Sequence, residues 1–306
     1  MSLAMALPLH ISSSSSSSSP NQPLSNKRIA FTTPLTYATR LTHLLKLQRS
    51  IPLHSPTILI QPSLQTKASL AFYLQTSHLQ PFSAIAFTSR NGIAAFSESL
   101  SQTPTPPLPE TGPTFTISAL GKDADLLDRS FISKLCRNPT RIRVLVPPIA
   151  TPISLAESLG AGAGRQVLCP CPLVVDLEEP PVIPEFLLAL RSGGWIPVRV
   201  PAYETRWAGP RCGEALWKEE VVDAVVFTST AEVEGLLKSL REMGFGWGEV
   251  RERWPGMVAA AHGPVTAAGA ERLGVGVDVM SRRFGSFDGV VEALAAKWGR
   301  ERSDSD

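Results

Sequence analysis

Paired hydroxyl residues follow three short apolar segments of this chain, and they are the side chains best suited to binding a ligand. Residues 29–33, 85–89 and 225–229 each run from two apolar residues through Phe-Thr to a second Thr or Ser. The apolar part is typical of a strand buried on both faces, and a helical spacing of apolar residues follows each pair. A helix that begins after a strand offers an anion its free N–H groups and the positive end of its dipole. The anion-binding residues that this pattern predicts are Thr33, Thr88, Ser89, Thr228 and Ser229.

The same hydroxyl residues are also common helix N-caps, so each pair has a purely structural interpretation. Thr33 followed by Pro34 fits an N-cap with proline at the first helical position. Ser229 followed by Glu232 fits a capping box, in which the carboxylate reaches back to the cap. Repetition of nearly one sequence at three sites favours a shared pocket.

A fourth turn of this kind is predicted near the C-terminus. Residues 258–261 are small and apolar, and they are followed by His262, Gly263 and Pro264. Thr266 is placed to cap the next helix, so Gly263 and Thr266 join the predicted substrate-binding residues. His262 is assigned no catalytic role, because a lone histidine at a strand end is more often packed or solvated.

Composition limits the classes of ligand. The chain has 306 residues, enough for two domains, and no apolar stretch approaches the ~20 residues that cross a bilayer. No acidic residue precedes Glu98, so the first two turns lie in a locally positive region that favours a polyanionic small molecule. Nucleic acid fits less well, because the positive charges are scattered and aromatic platforms are absent. The basic residues before Glu98 are Lys27, Arg28, Arg40, Lys46, Arg49, Lys67 and Arg90.

No cofactor or metal motif is found. The four cysteines lack zinc-knuckle spacing, and Cys169 and Cys171 are separated by a single proline, which favours reduced, buried thiols. The glycine-rich residues 160–164 follow a helical pattern and precede an extended one, which is the reverse of a dinucleotide-binding turn. They are predicted to form a loop after a helix.

The first 26 residues resemble an organelle transit segment. They contain a serine run from Ser12 to Ser19 and no acidic residue, although no Arg or Lys precedes Lys27. A chloroplast location is expected from this segment. The alternatives are a disordered tail that is not cleaved and a cytoplasmic location.

Strands alternate with helices along the rest of the chain, which predicts α/β domains with mainly parallel sheets. Prolines are expected to end several strands, and Gly121 is expected to open a helix that reaches Leu135. The further strands predicted are residues 56–62, 114–120, 143–146, 166–169 and 196–200.

At these motifs the chain resembles the uroporphyrinogen-III synthase family, which acts in tetrapyrrole biosynthesis. The resemblance covers roughly residues 27–300, and its Ser- and Pro-rich start is similar to plant forms. It depends on the order and spacing of short motifs, since no single one is specific. The motifs are residues 31–34, 87–89, 202–205, 227–229 and 263–266.

The resemblance implies two α/β domains joined by a two-stranded hinge. The first domain is discontinuous and comprises residues 27–60 and 206–300, the second comprises residues 61–205, and a tail follows at 301–306. It implies a lyase without cofactor or metal, expected to be a monomer, whose substrate is the linear tetrapyrrole hydroxymethylbilane. Carboxylates of this substrate would be held at helix N-termini in the cleft. Tyr203, in the segment near the hinge, matches the family's usual proton donor.

Two departures from the family pattern leave another function open. Ala124 stands where the family often has a hydroxyl, in the turn that begins at Gly121, and the proline-rich residues 147–184 do not follow the usual pattern. The alternative is therefore a non-catalytic or weakly active tetrapyrrole-binding paralogue. A sensor of the periplasmic-binding type shares the architecture but lacks these motifs.

Overall fold

The computed structural model describes residues 22–303 of the chain. Most of the predicted transit-like segment 1–26 and the end of the predicted tail 301–306 lie outside the described residues. The chloroplast location and its cytoplasmic alternative therefore stay predictions.

One sheet has five parallel strands. They are β1 (Arg28–Phe31), β2 (Ile51–His54), β9 (Ala224–Phe227), β10 (Val258–Ala261) and β11 (Val279–Met280), in the order β11-β10-β9-β1-β2. The helices packed on it are α1 (Leu35–Leu47), α8 (Glu214–Trp217), α9 (Thr230–Glu242), α10 (Trp247–Arg253), α11 (Pro264–Arg272) and α12 (Asp288–Ser303). We call this sheet and its helices the five-stranded half.

A second sheet has six strands, of which only the edge strand β3 runs antiparallel. They are β3 (Ile58–Gln61), β4 (Phe82–Ala86), β5 (Phe115–Ser118), β6 (Ile142–Leu145), β7 (Gln166–Val175) and β8 (Ile196–Trp207), in the order β3-β8-β7-β4-β5-β6. Its helices are α2 (Leu64–Tyr73), α3 (Thr76–Leu79), α4 (Arg90–Gln102), α5 (Arg129–Leu135), α6 (Pro152–Leu159) and α7 (Val182–Ser192). This is the six-stranded half. No helix within residues 22–303 has the length and apolar content to span a membrane.

Alternate residues of the central strands enter different cores. In β9, Val225 and Phe227 pack in the core that contains α9 and α10, whereas Ala224 and Val226 pack in the core that contains α1 and α12. A strand that is covered on both faces must be apolar throughout, which explains the uninterrupted apolar segments before the hydroxyl pairs. The predicted fold class, two α/β units with mainly parallel sheets, is confirmed.

The chain passes between the two halves next to the antiparallel pair β3 and β8. Ile60 of β3 lies opposite Thr205 of β8, and residues 58–61 all pair within the six-stranded sheet. The division at residues 60–61 and 205–206 that the family resemblance implies stays a prediction.

The prediction that a proline ends the strand at residues 166–169 was wrong, and β8 extends beyond the predicted residues 196–200. β7 continues through Pro170 and Pro172, and β8 continues through Pro201. β4 pairs with β7 only as far as Leu168, and β3 pairs with β8 only from Glu204 onward. Each proline therefore lies where one side of its strand has no partner, so its missing N–H removes no ladder hydrogen bond on that side.

The predicted helix from Gly121 to Leu135 is divided in two. A 3₁₀ helix covers Gly121–Leu126, and α5 begins after Asp128, whose carboxylate accepts a hydrogen bond from the Phe131 N–H at 2.8 Å. Asp128 is an N-cap, and such a cap starts a new helix.

The prediction that residues 160–164 form a loop after a helix is confirmed, since α6 ends at Leu159 and Gly160 has a φ of +70°. All four cysteines are free thiols, and Cys136, Cys169 and Cys171 are buried as expected, whereas Cys212 is only partly buried.

We predict that Gly235→Ala lowers the free energy of unfolding by about 1–3 kcal/mol, the usual cost of overpacking. Gly235 lies on α9 where the helix meets the start of β3, and a Cβ there would be 2.6 Å from the Thr57 carbonyl oxygen. The matched control is Gly248→Ala in α10, where a Cβ meets nothing within 4 Å. Chemical denaturation should find the control at least as stable as the wild type, because alanine favours helix. Equal stability of the two variants would contradict the close packing of α9.

Candidate functional site

A cavity of about 580 Å³ lies between the two halves. Its wall combines the turns that follow β1, β4, β9 and β10 with the paired strands β3, β7 and β8. The polar lining residues are Tyr37, Thr228, Ser229, Glu232 and His262 from the five-stranded half, and Thr88, Ser89, Arg90, Asn91, Asp123, Glu178, Tyr203 and Thr205 from the six-stranded half.

The turn after β4 meets the tyrosine predicted as proton donor. Ser89 is the N-cap of α4, because its Oγ accepts a hydrogen bond from the Gly92 N–H at 3.2 Å. The same Oγ lies 2.9 Å from the Tyr203 hydroxyl. Ser89 therefore has both of the roles considered from the sequence, a helix cap and a cavity-lining hydroxyl, and Thr88 lines the cavity beside it.

Tyr203 lies on β8 with 7% of its surface exposed. Burial raises the pKa of its phenol well above the ordinary value, and the hydrogen bond with Ser89 opposes part of that rise. The phenol is protonated throughout the neutral pH range, as an ordinary tyrosine also is, and the raised pKa makes it a weaker acid that still donates a hydrogen bond. Its catalytic role stays a prediction, but the residue lines the cavity.

The turn after β9 is occupied by a carboxylate of the chain itself. Glu232 accepts hydrogen bonds from the Thr32 hydroxyl at 2.9 Å, the Thr228 N–H at 2.9 Å, the Thr228 hydroxyl and the Ser229 hydroxyl at 3.2 Å. Thr228 and Ser229 line the cavity, yet both of their hydroxyls already donate to Glu232. The capping box differs from the expected one, because Glu232 reaches the N–H of Thr228, one residue before the cap Ser229.

Glu232 is almost completely buried, at 1% exposure. Burial raises the pKa of its carboxyl, and the hydrogen bonds from Thr228, Thr32 and Ser229 oppose the rise. A ligand carboxylate that approached this turn would meet hydroxyls already in use and a second carboxyl group. The turn after β9 is therefore a poorer anion site than its sequence predicted.

The turn after β1 does not cap its helix through a hydroxyl. Pro34 is the N-cap residue of α1, with no side-chain cap hydrogen bond, so the expected Thr33 cap is absent. Thr33 is fully buried, and its Oγ1 has no hydrogen-bond partner among the described residues. Thr33 is not among the described residues that line the cavity, although its neighbour Pro34 is.

In the turn after β10, the two predicted residues Gly263 and Thr266 are not among the described residues that line the cavity. Gly263 is the N-cap of α11, and a Cβ there would lie 2.9 Å from the Phe284 Cβ, which accounts for the glycine. Thr266 is buried, and its hydroxyl donates to the Thr228 carbonyl at 3.2 Å, so it links two turns and is not a cap. Of the described residues in this turn, the cavity is lined by His262, to which the sequence had assigned no role. The predicted substrate-binding roles of Thr33, Thr88, Ser89, Thr228, Ser229, Gly263 and Thr266 stay predictions.

Charges in the cavity are mixed. Of the basic residues that precede Glu98, Arg90 lines the cavity, and its guanidinium lies 3.8 Å from the Asp123 carboxylate. Burial raises the pKa of Asp123, and Arg90 opposes the rise. Burial lowers the pKa of His262, whose Nδ1 is buried without a partner among residues 22–303. The positive charge of the N-terminal region is therefore not concentrated here, and an anion would depend mainly on N–H groups and hydroxyls.

Sequence reasoning missed Tyr37, Asn91 and Asp123. Tyr37, with Leu41, Leu44 and Leu45, forms the helical spacing of apolar residues that follows the first hydroxyl pair, yet its hydroxyl donates to the Asn91 Oδ1 at 2.9 Å. Asn91 follows the second hydroxyl pair by two positions, so extending that motif past Ser89 could have included it. Asp123 is placed by a 3₁₀ turn that local sequence did not indicate.

A comparison with protein-family models finds one family. The family model described as Uroporphyrinogen-III synthase HemD matches residues 39–290. No curated protein sequence matches the chain.

Solved structures of uroporphyrinogen III synthase from the extremely thermophilic bacterium Thermus thermophilus are similar to this chain. A mutant form has a TM-score of 0.54 and 17% sequence identity, and the match covers 90% of this chain and 99% of that chain. The wild-type enzyme in a second crystal form has a TM-score of 0.42 and 17% identity, over 92% of this chain and 100% of that chain. The first of these likenesses shows a shared fold.

We predict a distinctive pH dependence for Glu232→Gln. Because the folded state raises the pKa of Glu232 above its unfolded value, it binds the proton more tightly than the unfolded state does. Stability from this group is therefore greatest below the ordinary carboxyl pKa and is lost as the pH rises toward the folded value. In denaturant titrations, the unfolding free energy of the wild type minus that of the variant should fall as the pH rises above the ordinary glutamate pKa of about 4.3.

Glu249→Gln is the control with the opposite sign. Hydrogen bonds from the backbone N–H groups of Glu249 and Gly246 lower the pKa of this exposed carboxyl. Its contribution is present above the ordinary pKa and is lost as the pH falls, so the corresponding difference should rise with pH. A Glu232 difference that is flat or rises with pH would contradict the burial argument.

Proposed function

Because this chain belongs to the uroporphyrinogen-III synthase family, we propose that it converts hydroxymethylbilane into the cyclic uroporphyrinogen III. The observation that carries the proposal is the pair formed by Tyr203 and Ser89 at the wall of the cavity between the halves. It supplies a protonated phenol beside a hydroxyl, in a space bounded by both halves. No cofactor takes part in the proposed reaction.

The proposed chemistry is the loss of one water from the substrate. Tyr203 donates a proton to the terminal hydroxyl while the lone pair of the adjacent pyrrole nitrogen helps to break the C–O bond, and water leaves. The azafulvene that remains is attacked by the substituted carbon of the last pyrrole ring. The resulting intermediate fragments, the ring recloses in inverted orientation, and a proton is released, so that Tyr203 regains its proton over the full cycle.

Inversion of the last ring depends mainly on how the protein positions the intermediate, because an intermediate that is not held closes directly and its last ring is not inverted. The cavity wall offers an apolar surface from β3 and β7, formed by Ile58, Ile60, Pro172 and Val174. Flat pyrrole rings suit such a surface, whereas carboxylates suit the turns. α4 begins at Arg90, and Ser89, Arg90 and Asn91 all line the cavity, so the positive end of this helix dipole lies at the wall.

The second candidate function is tetrapyrrole binding with little or no catalysis. The observation that favours it is the occupation of the turn after β9 by Glu232, together with Ala124 in the position where the family often has a hydroxyl. Each removes a hydroxyl that could hold a substrate carboxylate. The two functions are separated by product analysis, because a binding protein retains the tetrapyrrole but forms no isomer III above the spontaneous background.

We predict that Tyr203→Phe lowers the rate of isomer III formation by about 100-fold or more, the usual contribution of one general acid. The full-length protein is incubated with enzymatically generated hydroxymethylbilane, and isomers I and III are separated and compared with a protein-free blank. Tyr73→Phe is the matched control, since Tyr73 lies in α2 against Phe82, with ring centroids 5.9 Å apart, and is not among the described cavity residues.

Two outcomes would count against the proposal. An undiminished rate of isomer III formation in Tyr203→Phe would remove this phenol from the mechanism. Wild-type protein that binds the tetrapyrrole but forms no isomer III above the blank would favour the binding function.

A further inference from the structure

A hydrogen bond joins the two walls of the cavity. The Tyr37 hydroxyl, from the first turn of α1 in the five-stranded half, donates to the Asn91 Oδ1 at 2.9 Å. Asn91 lies in the first turn of α4, in the six-stranded half, and both side chains line the cavity. Opening the cavity at this position must break this bond.

The N-terminus of α4 thereby holds two phenols from opposite walls. Ser89 contacts the Tyr203 hydroxyl, and Asn91, two residues later, contacts the Tyr37 hydroxyl, each at 2.9 Å. Burial, followed by the negative charge of Asp123, raises the pKa of Tyr37, so this phenol is a neutral donor at neutral pH. Phe287 packs edge-on against the Tyr37 ring, with centroids 6.4 Å apart, and helps to hold its orientation.

The opposite side of the cavity is joined by a larger group of contacts, all of which involve α9. The Thr57 hydroxyl donates to the Glu232 carbonyl at 2.8 Å, and the Trp207 Nε1 donates to the Gly235 carbonyl at 2.9 Å. The Glu178 N–H donates to the Glu234 carboxylate at 2.9 Å. The α9 side is therefore held by several hydrogen bonds at once, whereas on the Tyr37 side the contact described is a single neutral hydrogen bond, whose net contribution is small.

From this asymmetry we propose that Tyr37 and Asn91 are specificity-determining positioning residues, whose hydrogen bond keeps the cavity closed while the tetrapyrrole reacts. The inference deepens the proposed function and rests on it. Loss of water leaves an electrophile that closes directly, without ring inversion, once it is free of the wall that folds it. A cavity that opens too early therefore yields isomer I where isomer III is expected, so the contact determines which product forms.

The test compares four variants of the full-length protein by the ratio of isomer III to isomer I, corrected for the protein-free blank. Tyr37→Phe removes the donor, Asn91→Ala removes the acceptor, and the double variant removes both. Tyr73→Phe is the control, because it removes a phenol outside the described cavity wall. We expect the ratio to fall about two- to tenfold in Tyr37→Phe and in Asn91→Ala, the range that one net hydrogen bond supports. It should fall no further in the double variant, and the control should match the wild type.

Small-angle X-ray scattering supplies a readout that does not depend on turnover. Tyr37→Phe should have a larger radius of gyration than the wild type, since its cavity spends more time open. An unchanged isomer ratio in both single variants, or losses that add in the double variant, would overturn the inference while leaving the proposed function intact. Wild-type protein that forms no isomer III would instead remove the proposed function, and the scattering comparison alone would then decide whether Tyr37 closes the cavity. Equal radii would reject that closure.

Discussion

The packing of α9 against the strands that connect the two halves determines how those halves face each other. Gly235 lets the helix approach the Thr57 carbonyl so closely that a Cβ would lie 2.6 Å from it. The carbonyl groups of Glu232 and Gly235 accept hydrogen bonds from Thr57 of the segment before β3 and Trp207 of β8. These contacts join the halves on the α9 side, and the cavity lies beside them. The helix that makes them begins at one of the turns that line the cavity.

The repeated turns after β4 and β9 differ in the hydrogen bonds that their hydroxyl groups make. The turn after β4 has glycine three residues past its cap, so Ser89 bonds the Gly92 N–H and is still within reach of Tyr203. The turn after β9 has Glu232 at the equivalent position, and that carboxylate engages both hydroxyls before it. The residue three positions after the cap therefore distinguishes the two turns. With Gly92 there, the hydroxyls of the turn are bound by no carboxylate among the described residues, whereas with Glu232 there, both hydroxyls donate to its carboxylate. The site is consequently asymmetric, with the hydroxyls of Tyr203 and Tyr37 both held at the N-terminus of α4.

Local patterns predicted what depends on local chemistry. The apolar segments became central strands, and Ser89 and Ser229 became caps. Tyr203, which lines the cavity, was indicated by the family resemblance and not by a local pattern. Features that depend on distant partners escaped prediction. β7 continues past Pro170 because its neighbour β4 stops pairing first, which no window of sequence around the proline reveals. Tyr37 looked like one more member of an apolar stripe because its partner Asn91 is 54 positions away.

The location of the ligand is the central claim, and amide hydrogen exchange with and without bound uroporphyrinogen III, kept under anaerobic conditions, tests it most directly. The account predicts slower exchange at the start of α4, residues 90–93, and in the first half of α1, with no change in α10, which lies outside the cavity wall described for residues 22–303. Protection at these two helix starts together would place the tetrapyrrole between the halves. Protection confined to one half, or unchanged exchange at α4 despite saturating ligand, would contradict the account.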